Sequence, residues 1–522
     1  MKGIRFLRCA AGAAGSGCGA AFATADSAAS SSAAASAGSS TSGSSTLSSA
    51  NSTLHSFRTR DITLRIPSKD HLVRVSFCST RYLLAETIRR HSLLRVTGAN
   101  LPFLQLLGTQ LTFTNLLASA QEGEERVETR LTSDEATILT EALALGECRC
   151  YLRPEYNAQL EAEGQPTFPL RVNRILYRQR APFSSLVHAD LAELLQPPIP
   201  TSSDGHVKDA EGGAVDHTVP FSLFTPTMVS RVPLDAWTNF FAYNSTLHAY
   251  NYLRRSDGCV PAVWLHTALD AAVLRADDLL DADGTPLSNP HVKADVKSPD
   301  SKEAEKVAEA QAQALQRTLR HAIPHSFGVI VTPLAAGDAV ERQVGQLNRV
   351  LMEAAVLLHA PPTSGRNASS DSGGAAASAS PLQSLLERCK EKHTTCQHIL
   401  SLLTGDHEGA HASAVAARQY SEDPAQVAAV VDPIRRAMGV ADFVLPLAAT
   451  EAVRTGLDFF CRCSKQNIVS SLTAAPASAL TSLKENDGVV NCSFCGKHYQ
   501  LTVEDWAELE KARAAPPAPP SR

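Results

Sequence analysis

Alternation of apolar and polar residues marks the beginning of the ordered part of the chain. It runs over Asp61–Ile66 and again over Leu72–Phe77, which predicts two half-buried strands. Ser79 or Thr80 can then cap a helix whose C-terminal end is basic, as the helix dipole favours.

The middle of the chain mixes helical and strand-like patterns. Leu101–Ala120 carries leucines at helical spacing, whereas alternation predicts strands at Arg126–Leu131, Cys148–Leu152 and Leu170–Tyr177. Because helices and strands do not alternate strictly, we predict an α+β fold. Its parts are a mixed sheet and helix core at the N-terminal side, a helical linker and a small C-terminal domain.

Helices dominate the predicted structure of the last third. Leu382–Leu403 has the apolar stripe of one amphipathic helix, and Ala425–Met438 predicts another that is interrupted at Pro433. Between them, His407 and His411 fall in a Gly/Ala-rich stretch that predicts a solvated loop.

Shifts in composition divide the chain into six segments. Low-complexity or Pro/Gly-rich stretches mark the boundaries and two insertions within the second segment, near 196–220 and 281–320. The predicted segments are a disordered leader (1–56), an α+β core (57–360), a low-complexity linker (361–381), a helical linker region (382–456), a small C-terminal domain (457–513) and a disordered tail (514–522).

The leader has the composition of a targeting segment. Lys2, Arg5 and Arg8 are basic, no acidic residue precedes Asp26, and the rest is mostly Ala, Ser and Gly. This pattern is typical of an organelle transit peptide, so we expect a mitochondrial matrix protein, with the cytoplasm as the alternative. A secretory signal ending at Ala23–Ala25 ranks second because glycines break its apolar region, and a plain disordered extension is the third interpretation.

Composition excludes several classes of function. Lysine and arginine number 48 against 53 acidic residues, a net charge of −5, which argues against nucleic acid or an anionic membrane as the main partner. No apolar run is long enough for a transmembrane helix. The sequence contains neither a G-x-x-x-x-G-K-[ST] loop nor a G-x-S-x-G elbow, and we do not expect an enzyme.

Four of the twelve cysteines form two close pairs near the C-terminus. Cys461-Arg-Cys463 is followed, after 28 residues, by Cys492-Ser-Phe-Cys495. Two pairs of thiolates supply the ligands of a tetrahedral zinc site, and Gly496 stands where such turns often need a positive φ. We therefore predict Zn²⁺ as the cofactor of these four cysteines, and a zinc-binding domain over 457–513. Four structural or unrelated cysteines are the alternative.

The residues around the two pairs predict a small ordered unit. Ile468–Leu472 and Leu480–Leu483 read as helical turns, and a turn at Asn486–Gly488 leads into a strand at Val489-Val490. Thr502–Asp505 is a capping box that predicts a last helix.

Other cysteines invite a metal or redox interpretation. Cys148 and Cys150 repeat the C-x-C spacing, but they lie in a predicted strand, where residues two apart pack on the same face. Cys389, His393 and Cys396 share one face of a predicted helix and could hold a metal. The leucines of that helix favour packing in the core instead.

The segments around the two cysteine pairs resemble a known family. Asp458-Phe-Phe-Cys-Arg-Cys-Ser-Lys, Glu485-Asn-Asp-Gly and Cys492-Ser-Phe-Cys-Gly-Lys-His-Tyr closely resemble the redox-regulated holdase chaperones of the thirty-three-kilodalton heat-shock family (HslO-type). The resemblance is specific over Leu457–Leu509. Fainter similarity lies upstream, at Val73–Phe77, Arg149–Tyr151 and Ser326–Val331. The insertions make this chain longer than the family pattern.

The resemblance implies a function for the zinc site. Reduced, zinc-bound protein would be inactive, and oxidation of the four cysteines would release zinc, unfold the module and expose apolar surface without ATP. The implied partners are unfolded or aggregation-prone proteins, with a homodimer of the oxidised form and with neither nucleic acid nor membrane.

Two other functions stay open at the level of sequence. A zinc-ribbon module could recruit a protein partner through a structural zinc; nucleic acid is disfavoured because Glu451–Arg513 carries seven basic and eight acidic residues. A thiol oxidoreductase ranks last. Its C-x-x-C usually opens a helix, whereas Gly496–Leu501 reads as a strand.

Overall fold

The structure of the protein is a computed structural model. It describes residues 60–96, 100–132, 136–154, 167–175, 183–190, 234–274, 313–335, 337–359, 381–485, 488–492 and 494–514. The predicted leader, the insertion at 196–220, most of the insertion at 281–320 and nearly all of the low-complexity linker and tail lie outside these residues.

Strands and helices are mixed along the described chain. The strands are β1 (Ile62–Pro67), β2 (Val73–Ser79), β3 (Arg126–Thr132), β4 (Ala136–Leu143), β5 (Glu147–Pro154), β6 (Thr167–Ile175), β7 (Phe183–Asp190), β8 (Ala262–Ala268), β9 (His325–Pro333), β10 (Val453–Gly456), β11 (Asp458–Phe459), β12 (Val489–Asn491) and β13 (His498–Gln500). The helices are α1 (Arg81–Arg90), α2 (Leu93–Val96), α3 (Leu101–Ala118), α4 (Leu234–Tyr243), α5 (Thr246–Ser256), α6 (Ala271–Leu274), α7 (residues 313–322), α8 (Asp338–His359), α9 (Pro381–Lys392), α10 (Thr395–Thr404), α11 (His407–Ala416), α12 (Pro424–Ala437), α13 (Lys465–Leu472), α14 (Ala477–Glu485) and α15 (Val503–Ala514).

These elements form two compact units. One comprises Arg58–Cys461, and the residues from Arg462 onward belong to the other. The larger unit holds a five-stranded antiparallel sheet, in the order β10-β1-β2-β9-β8, and a six-stranded sheet, in the order β11-β5-β4-β3-β6-β7. The α+β fold class is therefore confirmed.

The five-stranded sheet joins distant parts of the chain. Ile62 of β1 lies opposite Gly456 of β10, so the first described strand pairs with one that follows helices α9–α12. At the N-terminus of α1, the carboxylate of Asp61 accepts from the backbone N–H of Leu83. Thr80 precedes the helix as predicted, but its hydroxyl bonds to Thr112 and Ser326 instead of capping α1.

Helix α3 packs against strands of both sheets, namely β3 and β4 on one and β8 and β9 on the other. Its central polar residues are buried with partners: the Gln110 amide donates to Thr129 at 2.8 Å and accepts from Ser245 at 2.9 Å. A side chain at Gly108 would meet Thr267 and Leu84 at 2.6–2.8 Å, so this glycine allows the helix to approach the sheet. The helix predicted over Leu101–Ala120 is confirmed, and it spans Leu101–Ala118.

The helical region differs from its prediction in two places. The single helix predicted over Leu382–Leu403 is two helices, α9 and α10, separated at His393, whose φ is +57°. The apolar pattern continues across the break because both helices bury leucines. The predicted interruption at Pro433 is also wrong. Helix α12 continues through Pro433, which lies on the exposed face between buried Val431 and Ile434.

Hydrogen bonds and ion pairs tie these helices together. His407 and His411 lie on α11 and not in a solvated loop as predicted. His407 contacts Asp432 at 2.9 Å, and His411 donates to the backbone carbonyl of Glu422, also at 2.9 Å. The Glu422 carboxylate in turn pairs with Arg388 at 2.6 Å. These contacts fix the chain between α11 and α12 against α9 and α11.

Arg435 is the largest charged side chain buried in this region. Its guanidinium donates to the backbone carbonyls of Leu402 at 2.5 Å and Val440 at 2.8 Å, and it also contacts that of Phe443. Gly405, with φ +68°, ends α10 directly beside it. The arginine therefore satisfies a carbonyl in the last turn of α10 and two carbonyls of the segment that follows α12.

The smaller unit has a core of its own. Helices α13–α15 pack on the hairpin β12–β13 through a cluster of buried residues, which are Ile468, Val469, Leu472, Leu483, Val490, Tyr499, Leu501 and Leu509. The capping box is confirmed: Thr502 N–H donates to Asp505 at 2.6 Å, and Asp505 N–H donates back to Thr502 at 3.4 Å. Nowhere in the described chain is a helix long and apolar enough to cross a membrane.

Candidate metal centre

The first cysteine is placed by the edge of the six-stranded sheet. Strand β11 pairs in parallel with β5, with Asp458 opposite Glu147 and Phe459 opposite Cys148. The Phe460 N–H extends the pairing by donating to the Cys148 carbonyl at 2.9 Å. Cys461 follows directly, half-buried, so the backbone of the larger unit fixes where this thiol lies.

The second cysteine stands at the start of a helix. Cys463 precedes Ser464, whose hydroxyl caps α13 by accepting from the Asn467 N–H at 3.1 Å. The Asn467 amide also donates to the Arg462 carbonyl at 3.3 Å. These bonds fix the backbone on both sides of Cys463, and the thiols of Cys461 and Cys463 are half-buried.

The second pair sits in the turn of the hairpin β12–β13. The Gly496 N–H donates to the Cys492 carbonyl at 2.9 Å, and the Cys492 N–H donates to the Lys497 carbonyl at the same distance. Gly496 has φ +65°, the conformation predicted for it, which a residue with a side chain adopts only at a cost. Cys495 is buried and Cys492 half-buried.

The structure brings all four sequence-predicted thiols together. The sulfurs of Cys461, Cys463, Cys492 and Cys495 lie within 4.8 Å of one another. Around a tetrahedral zinc with Zn–S bonds of about 2.3 Å, the sulfurs stand about 3.8 Å apart. The donor set and its spacing therefore fit Zn²⁺ with four thiolates and no open coordination position.

Tyr499 contacts this cluster from the hairpin. Its hydroxyl lies 3.1 Å from the sulfur and 3.1 Å from the backbone carbonyl of Cys463. Burial, and then the hydrogen bond to Cys463, raise the pKa of the phenol, so it keeps its proton and acts as a donor. No signal in the sequence indicated this contact, because Tyr499 lies 36 residues from Cys463 along the chain.

Arg149 is a second contact that the sequence did not reveal. Its guanidinium lies 3.6 Å from the sulfur of Cys461 and 2.9 Å from the carboxylate of Glu141. Arg149 and Glu141 face each other on neighbouring strands β5 and β4. The only sequence signal was the faint similarity around Arg149–Tyr151, and spacing of 312 residues hides the contact.

The lysines near the cysteines in sequence have other partners. Lys465 pairs with the Asp505 carboxylate, and Lys497 lies over the ring of Tyr499, with its nitrogen 5.1 Å from the ring centroid. Of these three charged side chains, Arg149 is therefore the one that contacts a sulfur of the cluster.

The other candidate thiols are buried apart from the cluster. Cys148 and Cys150 are buried on β5, as the packed strand pair predicts. Burial raises the pKa of Cys150 to about 12 and that of Cys396 to about 12, and it raises those of Cys148 and Cys389 as well. Within the described residues, the side chains that lie close enough together to hold a metal are the four C-terminal cysteines. Cys389, His393 and Cys396 therefore do not form a metal site.

Comparison with known proteins bears on this region. The model of the family described as Hsp33 protein matches residues 441–502, which carry all four cysteines. A crystal structure of the 33 kDa chaperonin (heat shock protein 33 homolog) from Thermotoga maritima aligns with 87% of this chain and 98% of its own, at 13% identity and a TM-score of 0.42. No curated protein matches the chain significantly.

The family match confirms the resemblance inferred from the motifs. It covers the cysteine pairs and about twenty residues that precede them, whereas the insertions lie outside it. The match supports a chaperone with a C-terminal four-cysteine cluster.

Proposed function

We propose that this protein is a redox-regulated, ATP-independent holdase chaperone that is inactive when reduced and zinc-bound. The observation that carries the proposal is the meeting of four thiols, from two pairs 28 residues apart, within 4.8 Å. The family match over residues 441–502 supports a chaperone role for the region that contains them. Its clients are unfolded or aggregation-prone proteins, bound through exposed apolar surface, and no catalytic turnover is involved.

The size of the smaller unit makes metal binding decisive for its fold. Its described core is a single small cluster of buried residues, and a unit this small buries too little surface to be stable by packing alone. Zinc bound here would supply about 10–16 kcal/mol of coupled folding free energy and keep the sulfurs as thiolates. The four cysteines thus act as a fold-determining ligand set.

Oxidation would remove that support. With hydrogen peroxide as oxidant, the two thiolates of each pair lose two electrons and form one S–S bond. One peroxide molecule per pair accepts these electrons; its O–O bond breaks, and with two protons from solvent it becomes two water molecules. The pairs are Cys461 with Cys463 and Cys492 with Cys495. Disulfides that close loops of three and four residues contribute only about 1.5–2 kcal/mol each. Because this does not replace the metal, the oxidised unit unfolds.

Unfolding supplies the client-binding surface. The apolar cluster of the smaller unit, centred on Leu472, Leu483 and Leu509, becomes exposed. The helices α9–α12, which precede the residues that match the family, provide further leucines, such as Leu385, Leu400 and Leu403. Exposed apolar side chains then compete with aggregation of unfolding proteins.

Light scattering of a heat-unfolding client tests this function. The protein is added either reduced and zinc-loaded or after peroxide treatment, with a Cys461→Ser/Cys492→Ser variant in parallel. Suppression by the oxidised form alone is expected. Equal suppression by both forms removes the redox switch, and no suppression by either favours a zinc-ribbon interaction module with a structural zinc.

We also propose that the basic, acid-poor leader directs the protein to mitochondria. The support is its composition, with Lys2, Arg5 and Arg8 ahead of the first acidic residue, Asp26. A fluorescent protein fused after residue 56 should enter mitochondria. Replacing the three basic residues by glutamine should abolish import, and cytoplasmic fluorescence of the unmodified fusion contradicts the proposal.

A further inference from the structure

Arg149 contacts the first cysteine of the cluster from within the larger unit. Its guanidinium lies 3.6 Å from the sulfur of Cys461, whereas the neighbouring cysteines of its own strand, Cys148 and Cys150, are buried in the core. The Arg149 side chain is 21% exposed. A charged group held this close to one sulfur acts on that sulfur more than on the other three.

The arginine is held in this position from its other side. The Glu141 carboxylate accepts from Arg149 at 2.9 Å and lies 3.6 Å from Arg126, and its own side chain is only 8% exposed. An arginine presents its donors in a rigid planar fork, so fixing one nitrogen on Glu141 orients the nitrogen that faces Cys461. The pair thus presets the donor before any metal binds.

The backbone brings Cys461 to the same place. Strand β11 pairs with β5, and the Phe460 N–H donates to the Cys148 carbonyl. The backbone is therefore held on β5 up to Phe460, the residue directly before Cys461. Two independent contacts, one of backbone and one of side chain, therefore join the segment Asp458–Cys461 to β5.

We propose that Arg149 is a positioning residue that holds Cys461 and restrains its reaction with oxidants in the reduced protein. A donor on a thiolate sulfur withdraws electron density, and this lowers the reactivity of that sulfur toward electrophiles and favours its metal-bound form. Cys461 is then the protected member of the cluster, and the threshold for activation depends on Arg149. This inference rests on the proposed function for its biological meaning, but not for its test.

The test is site-resolved alkylation of the zinc-loaded, full-length protein with iodoacetamide, read by mass spectrometry. Trypsin cleaves after Arg462, so Cys461 and Cys463 fall in different peptides. Arg149→Gln should raise the alkylation rate of Cys461 on the order of tenfold and leave Cys492 and Cys495 near their wild-type rates. Arg149→Lys keeps the charge but lacks the fork, so its Cys461 alkylation rate should lie between those of wild type and Arg149→Gln. Arg171→Gln, an exposed arginine on β6 of the same sheet, is the matched control.

A second readout needs neither metal nor activity. In the metal-free reduced protein, Arg149→Gln should speed hydrogen exchange at the Phe460 amide while the amides that pair β4 with β5 keep their protection. If Arg149→Gln does not fold, Glu141→Gln is used instead. It should raise the alkylation rate of Cys461 by a smaller factor and leave the other three cysteines unchanged.

The outcomes separate this inference from the proposed function. An unchanged Cys461 rate in Arg149→Gln, or an equal rise at all four cysteines, overturns the role of Arg149. Wild-type protein that binds no zinc, or that never suppresses aggregation, contradicts the proposed function instead. In that case, hydrogen exchange at the Phe460 amide still tests whether Arg149 holds Cys461 in place.

Discussion

The carboxylate of Asp61 accepts a hydrogen bond from the backbone N–H of Leu83 at 2.8 Å, with both residues buried in the larger unit. A carboxylate at the N-terminus of a helix is normally stabilised by the helix dipole. Here burial outweighs that effect and the nearby charge of Arg81, and it raises the pKa of Asp61 from 3.8 to about 7. The folded protein therefore binds a proton here that the unfolded chain has already lost.

Stability should fall as this proton is lost. Between about pH 4 and pH 7 the folded state holds more protons at Asp61 than the unfolded state, so the free energy of unfolding decreases as pH rises through this window. Asp61→Asn keeps an oxygen acceptor for Leu83 without the charge. The variant should lose on the order of 2–4 kcal/mol of this pH dependence, measured by urea denaturation of the reduced protein at pH 4.5 and pH 8. An unchanged pH profile contradicts the burial argument.

Cys461→Ser should abolish stoichiometric zinc binding, because the proposed site has four ligands and no other thiol of the described chain belongs to the cluster. The variant should also show a partly unfolded smaller unit under reducing conditions, seen as rapid hydrogen exchange over α13–α15. Cys259→Ser is the control, since the Cys259 thiol bonds to the Leu253 carbonyl far from the cluster in sequence and a hydroxyl can do the same. Full zinc content in Cys461→Ser would refute the four-ligand site.

Tyr499→Phe should weaken zinc binding without abolishing it. The substitution keeps the ring in the apolar cluster and removes the hydroxyl that bonds to Cys463. A lost hydrogen bond of this kind costs about 1 kcal/mol, or roughly fivefold in affinity. Competition with a zinc chelator measures the change. Equal chelator midpoints for wild type and variant would show that the hydroxyl does not act on the site.

Two glycines in the helical region offer a matched pair. Gly405 and Gly439 both have φ +68°, but a side chain at Gly405 would meet the Arg435 guanidinium at 2.7 Å, whereas nothing lies within 4 Å of one at Gly439. Gly439→Ala should cost about 1 kcal/mol from backbone strain alone. Gly405→Ala should cost at least about 1 kcal/mol more, because it displaces the arginine from buried carbonyls. Equal losses in chemical denaturation would show that Arg435 moves freely.

Local patterns predicted the turn, the cap and the clustering of the four cysteines. The two cysteine pairs, the glycine after Cys495 and the capping box at Thr502 each depend on residues within a few positions of one another. Physical chemistry links such short motifs directly to a turn, a cap or a ligand geometry. The meeting of the two pairs was inferred from the chemistry of zinc, and the structure places all four sulfurs together.

Contacts between distant residues escaped prediction. Arg149 reaches Cys461 only because β11 joins the sheet beside β5, and no pattern along the chain encodes that pairing. The break at His393 was missed for the opposite reason. Buried leucines on both sides preserve a helical period, while one residue of positive φ turns the chain. The spacing of apolar residues predicts which positions are buried, but it does not predict whether one helix continues without a break.

The domain boundaries stay predictions that the structure leaves open. Helix α8 ends at His359 and α9 begins at Pro381, so the predicted linker falls between described helices. Its composition is typical of a spacer, and limited proteolysis should cut between these two residues first. Cleavage within α9 instead would place the boundary elsewhere.

The pairing of Ile62 with Gly456 has a consequence for biosynthesis. About 390 residues separate these partners, so the outer edge of β1 has no strand to join until nearly the whole chain has left the ribosome. Until then the nascent protein carries an open edge next to the buried side chains Leu64 and Ile66, a surface that favours aggregation. A protein proposed to guard others against aggregation thus exposes an aggregation-prone edge of its own while it is translated.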